Sequence, residues 1–158
     1  MTSIYEPWDA TRGAEIIAQH THREGATLVI LHALQAAFGY VPEPAIPLIA
    51  SALNLSRAEV HGVFTFYHDF RRKPTGRHVL KLCRAEACQA AGGDALAARA
   101  EAKLGIAIGN TTADERLTLE PIYCLGLCAT APSAMLDGRV VGRLNEARID
   151  ALVAEAQR

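Results

Sequence analysis

The placement of the cysteines is the feature that most constrains this chain of 158 residues. All four lie in the second half, in a C-x4-C pair and a C-x3-C pair separated by 35 residues. The residues are Cys83, Cys88, Cys124 and Cys128. Each pair is predicted to lie in a loop just after a strand. Any fold in which the four thiols act as one group must therefore bring these two distant loops together.

The spacing of apolar residues predicts a first part made of helices. Apolar residues recur there at positions i, i+3, i+4 and i+7, which is the pattern of an amphipathic helix. Gly39 is expected to end the second helix, and the sequence Ser56-Arg57-Ala58-Glu59 is a capping box that starts the fourth. The four predicted helices cover about residues 10–22, 30–38, 46–53 and 57–67. Short helices with short connections indicate a small bundle.

A charged segment rich in breaker residues interrupts this pattern. Residues 71–77 read Arg-Arg-Lys-Pro-Thr-Gly-Arg, which is typical of a linker between two units. We therefore predict a helical bundle over residues 1–72 and a second domain over residues 73–158. The alternative is a long surface loop within a single domain.

Strand and helix patterns alternate after this segment. They predict a strand over 78–83, an Ala-rich helix over about 88–103 and a strand over 117–120. A hairpin over 133–143 turns at Asp137-Gly138, and Asn145 is expected to cap a last helix. The order β-α-β, then β-β-α, is a thioredoxin-like arrangement. The predicted fold class is thus α+β, with an N-terminal helical bundle followed by a thioredoxin-like domain.

The charge balance and the absence of certain motifs exclude several classes of function. Sixteen Lys and Arg against seventeen Asp and Glu give a net charge of −1, which is not the footprint of a protein that binds nucleic acid or an anionic membrane. No apolar run approaches a membrane span, and the first nine residues do not resemble a signal peptide, so we expect a cytoplasmic protein. The sequence contains neither G-x-G-x-x-G nor a Walker A motif, so no nucleotide site is expected.

The cysteine spacing favours an iron–sulfur cluster, although other chemistry remains open. Four cysteine thiolates are the ligands of a [2Fe–2S] cluster, and nearby glycines such as Gly126 let backbone N–H groups approach its sulfurs. Disulfides are disfavoured in a reducing compartment, and a dithiol enzyme on this fold would carry C-x-x-C. Structural zinc usually takes C-x2-C on both sides. A zinc-stabilised interaction module is the alternative from another functional class.

The segments around the cysteines resemble one family of iron–sulfur subunits. The runs Cys83-Arg-Ala-Glu-Ala-Cys88 and Tyr123-Cys124-Leu-Gly-Leu-Cys128-Ala-Thr-Ala-Pro132 are similar to the 24 kDa-type thioredoxin-like [2Fe–2S] subunit. This family includes subunits of respiratory complex I, of NAD-reducing hydrogenases and of NAD-dependent, molybdenum-containing formate dehydrogenase. The resemblance covers about residues 14–155. Residues 22–25, 59–70 and 84–89 are most similar to the gamma subunit of formate dehydrogenase.

The resemblance implies a non-catalytic electron-transfer subunit. Cys83, Cys88, Cys124 and Cys128 would hold one [2Fe–2S] cluster, with no substrate site on this chain. FMN, NAD and the molybdenum cofactor would belong to two partners, an FMN- and NAD-binding subunit and a molybdenum-containing catalytic subunit. The complex would couple formate oxidation to NAD reduction through FMN, and the helical bundle would dock onto the flavin-bearing partner. The alternatives are the equivalent subunit of complex I, which is NADH:quinone oxidoreductase, or of a hydrogenase.

Overall fold

A computed structural model describes residues 5–157 of the chain, which divides into two compact units between Pro74 and Thr75. The division falls inside the charged segment that the sequence indicates as a linker. The helical unit contains α1 (Ala10–Ala18), α2 (Ala26–Phe38), α3 (Ala45–Leu53) and α4 (Arg57–Phe66). The second unit contains β1 (His78–Cys83), α5 (Glu86–Ala90), α6 (Gly93–Leu104), β2 (Leu117–Ile122), β3 (Ala134–Leu136), β4 (Arg139–Val141) and α7 (Glu146–Ala156).

The first helix begins where predicted but ends four residues early. The Asp9 carboxylate caps α1 by accepting a hydrogen bond of 2.8 Å from the Arg12 N–H. The helix stops at Ala18, and the predicted extension to residue 22 is wrong. Residues 19–24 are all polar and offer no apolar face to bury, so nothing stabilises a further helical turn.

The other three helices of this unit differ from the predicted bounds by one to four residues, since α2 begins at residue 26 instead of 30, α3 begins at 45 instead of 46 and α4 ends at 66 instead of 67. Gly39 ends α2 in the left-handed conformation at φ 78°, and Ser56 and Glu59 form the reciprocal capping box of α4. Tyr67 is the last residue of the predicted fourth helix, but in the structure it lies outside α4 in an extended conformation and is exposed. Its ring packs edge-on against Phe66 and Phe70, and Phe70 is the residue that is buried.

The helical unit has a hydrophobic core of its own. Fully buried side chains include Ile30 and Leu34 of α2, Ile49 of α3 and Val60 and Phe64 of α4. Burying one side chain of this kind contributes about 1.5–3 kcal/mol. The apolar faces of the amphipathic helices are thus buried against each other within residues 5–74.

The second unit is a four-stranded mixed sheet in the order β2-β1-β3-β4. Strands β1 and β2 are parallel, with Cys83 opposite Ile122, and β3 runs antiparallel to β1, with Leu82 opposite Ala134. The hairpin turns at Asp137 and Gly138 as predicted, and both residues have positive φ. This topology places the ends of β1 and β2 and the start of β3 at the same edge of the sheet.

Two element boundaries in this unit differ from the prediction. The Ala-rich helix is two helices, α5 and α6, because Gly92 adopts a left-handed conformation at φ 89° between them. A Cβ at the following residue, Gly93, would lie 2.6 Å from the Cys88 carbonyl oxygen, so the two helices meet closely there. Strand β2 continues to Ile122, two residues beyond the prediction.

Helices α6 and α7 enclose the core of the second unit. Buried residues of both helices, among them Ala97, Ala100, Ile149 and Val153, join Leu80 and other strand residues in one cluster. Arg99 of α6 forms two hydrogen bonds of 2.8 Å to the Asp150 carboxylate of α7. Within residues 5–157, none of the helices combines the length and the apolar character that crossing a membrane requires.

Candidate metal centre

The sheet topology brings the two cysteine pairs to the same edge. The prediction that both pairs lie in loops is wrong for the first pair, since Cys83 is the last residue of β1 and Cys88 lies within α5. Strand β1 extends through Cys83 because its N–H donates a hydrogen bond of 3.0 Å to the Ser133 carbonyl. Cys124 lies in the loop after β2, as predicted, and Cys128 begins a single 3-10 turn, Cys128–Thr130.

The first pair is buried and well supplied with hydrogen bonds. The exposed fractions of Cys83 and Cys88 are 4% and 2%. Burial raises the pKa of the Cys83 thiol, but hydrogen bonds outweigh burial and leave this pKa below its ordinary value. The groups that supply them are the backbone N–H of Ala85, the Cys88 side chain, the backbone N–H of Cys124 and the Ser133 side chain. This environment therefore favours the thiolate, which is the form that binds metal.

The second pair is exposed and lies on a tight loop. The Cys124 and Cys128 sulfurs are 3.8 Å apart, well beyond the S–S bond length of about 2.05 Å, and all four cysteines are free. The Gly126 N–H donates a hydrogen bond of 3.3 Å to the Cys124 sulfur. Cys124 has φ 86°, a conformation that residues other than glycine rarely adopt. The loop thus presents two sulfurs and a backbone donor together.

Electrostatics link the two pairs into one site. A hydrogen bond with Cys124 and the negative charge of Cys124 raise the pKa of Cys128, and burial and the charges of Cys88 and Cys83 raise this pKa further. The charges of the other three cysteines thus oppose the ionisation of Cys128. Bound cations remove such repulsion, because their charge stabilises several thiolates at once.

The arrangement in pairs fits a binuclear cluster. Among residues 5–157, no three or more His, Cys, Asp or Glu side chains are grouped so that they could hold a single metal ion. A [2Fe–2S] cluster uses a different arrangement, since each iron takes two protein ligands. Cys83 with Cys88, and Cys124 with Cys128, form two such pairs at one sheet edge. The N–H donors and the thiolate-favouring surroundings of Cys83 are also suited to a negatively charged sulfur cluster.

Ser133 is a residue of this site that the sequence did not single out. Its hydroxyl lies 3.5 Å from the Cys88 sulfur, and its exposed fraction is 2%. The sequence predicts that it is the first residue of a hairpin strand, and in the structure it immediately precedes β3. The available signal was its position just after the second cysteine pair, at Ala-Pro-Ser, but the spacing does not reveal that it faces the first pair.

Comparison with known proteins identifies the family. The model of the thioredoxin-like [2Fe-2S] ferredoxin family matches residues 13–157. This chain belongs to that family. Membership confirms the predicted fold class, α+β with a thioredoxin-like domain, and supports a [2Fe–2S] cluster as the cofactor.

Curated relatives are similar over most of their length. An NADH-quinone oxidoreductase subunit of Escherichia coli is 38% identical over 138 residues, which are 86% of this chain and 83% of that protein. The corresponding NADH-quinone oxidoreductase subunit of Pseudomonas aeruginosa is 40% identical over 112 residues, 71% of this chain and 68% of that protein. The NADP-reducing hydrogenase subunit HndA of Solidesulfovibrio fructosivorans is 30% identical over 141 residues, 89% of this chain and 82% of that protein.

A solved structure agrees with this assignment. The crystal structure of an NAD+-reducing [NiFe]-hydrogenase in the air-oxidized state matches 83% of this chain with a TM-score of 0.70 and 32% sequence identity. The match covers 22% of the hydrogenase chain, so this chain spans about a fifth of that protein. The similarity therefore concerns one part of a longer polypeptide.

Proposed function

We propose that this chain is an electron-transfer subunit that holds one [2Fe–2S] cluster on Cys83, Cys88, Cys124 and Cys128. The observation that carries the proposal is the meeting of two cysteine pairs at one edge of the sheet, where Cys83 ends β1 opposite Ile122 of β2, two residues before Cys124. Each pair would hold one iron. When bound, the cluster supplies reversible one-electron chemistry.

The two pairs have different tasks in this proposal. The buried pair anchors the site, since Cys83 and Cys88 belong to a strand and a helix and are held by their packing. The exposed pair, Cys124 and Cys128, leaves one side of the site open to a partner. Backbone donors such as the Gly126 N–H stabilise negative charge on the sulfurs.

We further propose that the parent complex is an NAD-dependent formate dehydrogenase. The sequence runs at residues 22–25, 59–70 and 84–89 support this choice. Formate and NAD each exchange two electrons, whereas a single [2Fe–2S] centre carries one. FMN, NAD and the molybdenum cofactor are therefore assigned to an FMN- and NAD-binding partner and a molybdenum-containing catalytic partner.

We also propose a cytoplasmic location, because free cysteines persist in a reducing compartment.

The second candidate is the equivalent subunit of complex I or of a hydrogenase. It is favoured by the identity of 38–40% to subunits of NADH-quinone oxidoreductase and by the structural match to the hydrogenase chain. The candidates share the same site and differ in their partners. Purification of the tagged chain from its native cells separates them. A molybdenum-containing subunit and formate-dependent NAD reduction support formate dehydrogenase, and membrane subunits support complex I.

Metal analysis tests the cluster itself. The purified full chain should contain about two irons and two acid-labile sulfides, as expected for four-cysteine ligation of a [2Fe–2S] cluster. It should be reddish brown and should lose part of its visible absorbance when dithionite adds one electron. A colourless chain that contains one zinc would instead assign the site to the zinc-stabilised interaction module.

A further inference from the structure

Ser133 has a buried hydroxyl whose partners differ from those of the Thr118 hydroxyl. Among residues 5–157, the buried polar residues are Thr118 and Ser133. The Thr118 oxygen accepts a hydrogen bond of 2.7 Å from the Gly76 N–H and lies 2.8 Å from the Thr111 hydroxyl, so it serves the fold. The Ser133 hydroxyl lies 3.5 Å from the Cys88 sulfur, which belongs to the buried cysteine pair.

The main chain fixes this hydroxyl against the first cysteine pair. The Ser133 carbonyl accepts the Cys83 N–H at 3.0 Å, and the next residues pair in register, with Ala134 opposite Leu82. Ser133 therefore cannot move away from Cys83 without breaking the ladder between β1 and β3. Because the backbone of Ser133 is held in place and its side chain is short, little conformational freedom is lost when the hydroxyl forms this hydrogen bond.

The protonation state of the cysteines decides the direction of the hydrogen bond. A thiol can donate or accept, but a thiolate that binds iron has no proton and can only accept. With Cys83 and Cys88 as ligands, the Ser133 hydroxyl is the donor. Its single proton is then directed at the Cys88 sulfur, which lies 3.5 Å away.

We infer that the Ser133 hydroxyl donates a hydrogen bond to the Cys88 sulfur of the buried pair and thereby makes the cluster easier to reduce. This inference rests on the proposed ligation. One-electron reduction adds a negative charge to the cluster and its sulfurs, so a donor in a buried site stabilises the reduced form more than the oxidised form. Hydrogen bonds to the sulfurs are among the factors that set cluster potentials.

The midpoint potential of Ser133→Ala in the full chain tests the inference. The cluster is loaded into each variant, iron content is measured, and the potential is determined by titration with dithionite. Loss of a hydrogen bond of ordinary net strength should make reduction less favourable by roughly threefold to tenfold. Tenfold corresponds to a shift of about 59 mV for one electron, toward more negative potential. The matched control is Thr118→Val, which removes a buried hydroxyl that is bonded to Gly76 and Thr111 and should leave the potential unchanged.

A pair of isosteric variants separates the effect of the hydroxyl on the potential from the effect of side-chain packing. Ser133→Thr and Ser133→Val have the same shape, and the Thr variant should have the higher potential of the two. An iron-loaded Ser133→Ala chain with the wild-type potential, or equal potentials in the Thr and Val variants, would overturn the inference and leave the ligation intact. A wild-type chain that takes up no iron would contradict the proposed ligation itself.

Discussion

At the residue scale, the two cysteine pairs differ in what their side chains do for the fold. Cys83 and Cys88 are buried, whereas Cys124 and Cys128 are exposed. A buried thiol contributes to packing as a small apolar group, in addition to any role as a ligand. An exposed thiol contributes little to packing. Substitutions in the exposed pair therefore report on ligation with little change in the stability of the protein.

Replacing Cys124 by Ala should abolish the cluster or leave it labile, because one iron then has a single protein ligand. The free energy of unfolding of the iron-free chain should change by no more than about 0.5 kcal/mol, which is usual at exposed positions. Iron content, visible absorbance and denaturant unfolding measure the two effects. Ala129→Ser, at an exposed position next to Cys128, is the matched control and should keep its iron. Full iron content and an unchanged spectrum in the Cys124 variant would contradict the ligand assignment.

The sequence identifies functional residues when their spacing along the chain is itself typical of a metal site. The two cysteine pairs are visible because the members of each pair are only five or four residues apart in the sequence. Ser133 is not visible in this way, since its hydroxyl reaches Cys88 through the pairing of β3 with β1. That register depends on tertiary packing and is not encoded in the spacing of a motif.

At the scale of elements, helices α6 and α7 are joined by an ion-pair network around Asp150. Arg99 binds both carboxylate oxygens at 2.8 Å, and Lys103 lies 3.0 Å from one of them. The hydrogen bonds from Arg99 outweigh burial and, with those from Lys103, hold the pKa of Asp150 far below its usual range. Because the folded pKa is lower than the unfolded one, this network stabilises the fold above about pH 4 and its contribution falls as the pH drops further.

Asp150→Asn should therefore lower the stability of the protein at pH 7, and the difference from wild type should shrink as the pH falls below about 4. Thermal unfolding at a series of pH values measures this difference. Glu155→Gln removes the exposed pair with Arg139 and is the control, with a small effect expected. A difference for Asp150→Asn that stays constant down to pH 2 would contradict the role given to its charge.

Gly93→Ala should destabilise the junction of α5 and α6. The added Cβ meets the Cys88 carbonyl oxygen at 2.6 Å, and both atoms belong to or adjoin the backbone, so a helix must shift. Overpacking of this kind typically costs about 1–3 kcal/mol. Gly62→Ala, in α4 with open space around the new Cβ, should instead stabilise by about 0.5–1 kcal/mol. Denaturant unfolding compares the two, and equal effects would contradict the packing argument.

Element types were predictable from the sequence, whereas some boundaries were not. The capping box at Ser56 and the turn at Asp137-Gly138 are local signals, and both occur where predicted. The break at Gly92 was missed because alanines on both sides have high helix propensity and conceal it. What forces the break is the close approach at Gly93, which is a tertiary contact.

At the scale of the whole molecule, the described residues 5–157 contain two hydrophobic cores. One cluster lies within residues 16–70 and the other within residues 80–156. Each unit thus buries its own apolar faces. The predicted boundary at residues 72 and 73 lies two residues before the division between Pro74 and Thr75. Breaker residues reveal a linker, but the position where packing begins depends on contacts such as the hydrogen bond from the Gly76 N–H to Thr118.

A fragment of residues 75–158 should fold and take up iron, because its core and all four cysteines lie within it. If the helical bundle docks onto the flavin-bearing partner, this fragment should bind that partner more weakly than the full chain. Circular dichroism, iron analysis and pull-down measure these properties. The complementary fragment, residues 1–74, should be helical and free of iron. Pull-down of the 75–158 fragment with unchanged affinity would contradict the docking role of the bundle.

The exposure of Cys124 and Cys128 also has a consequence for chemical durability. Oxidants and chelators act on sulfurs they can reach, and susceptibility to oxidation follows thiolate character and exposure. Within this chain, that side of the site is open, whereas Cys83 and Cys88 are covered. Damage would thus begin at the Cys124–Cys128 edge. A partner that covers this edge in a complex would shield the cluster as well as exchange electrons with it.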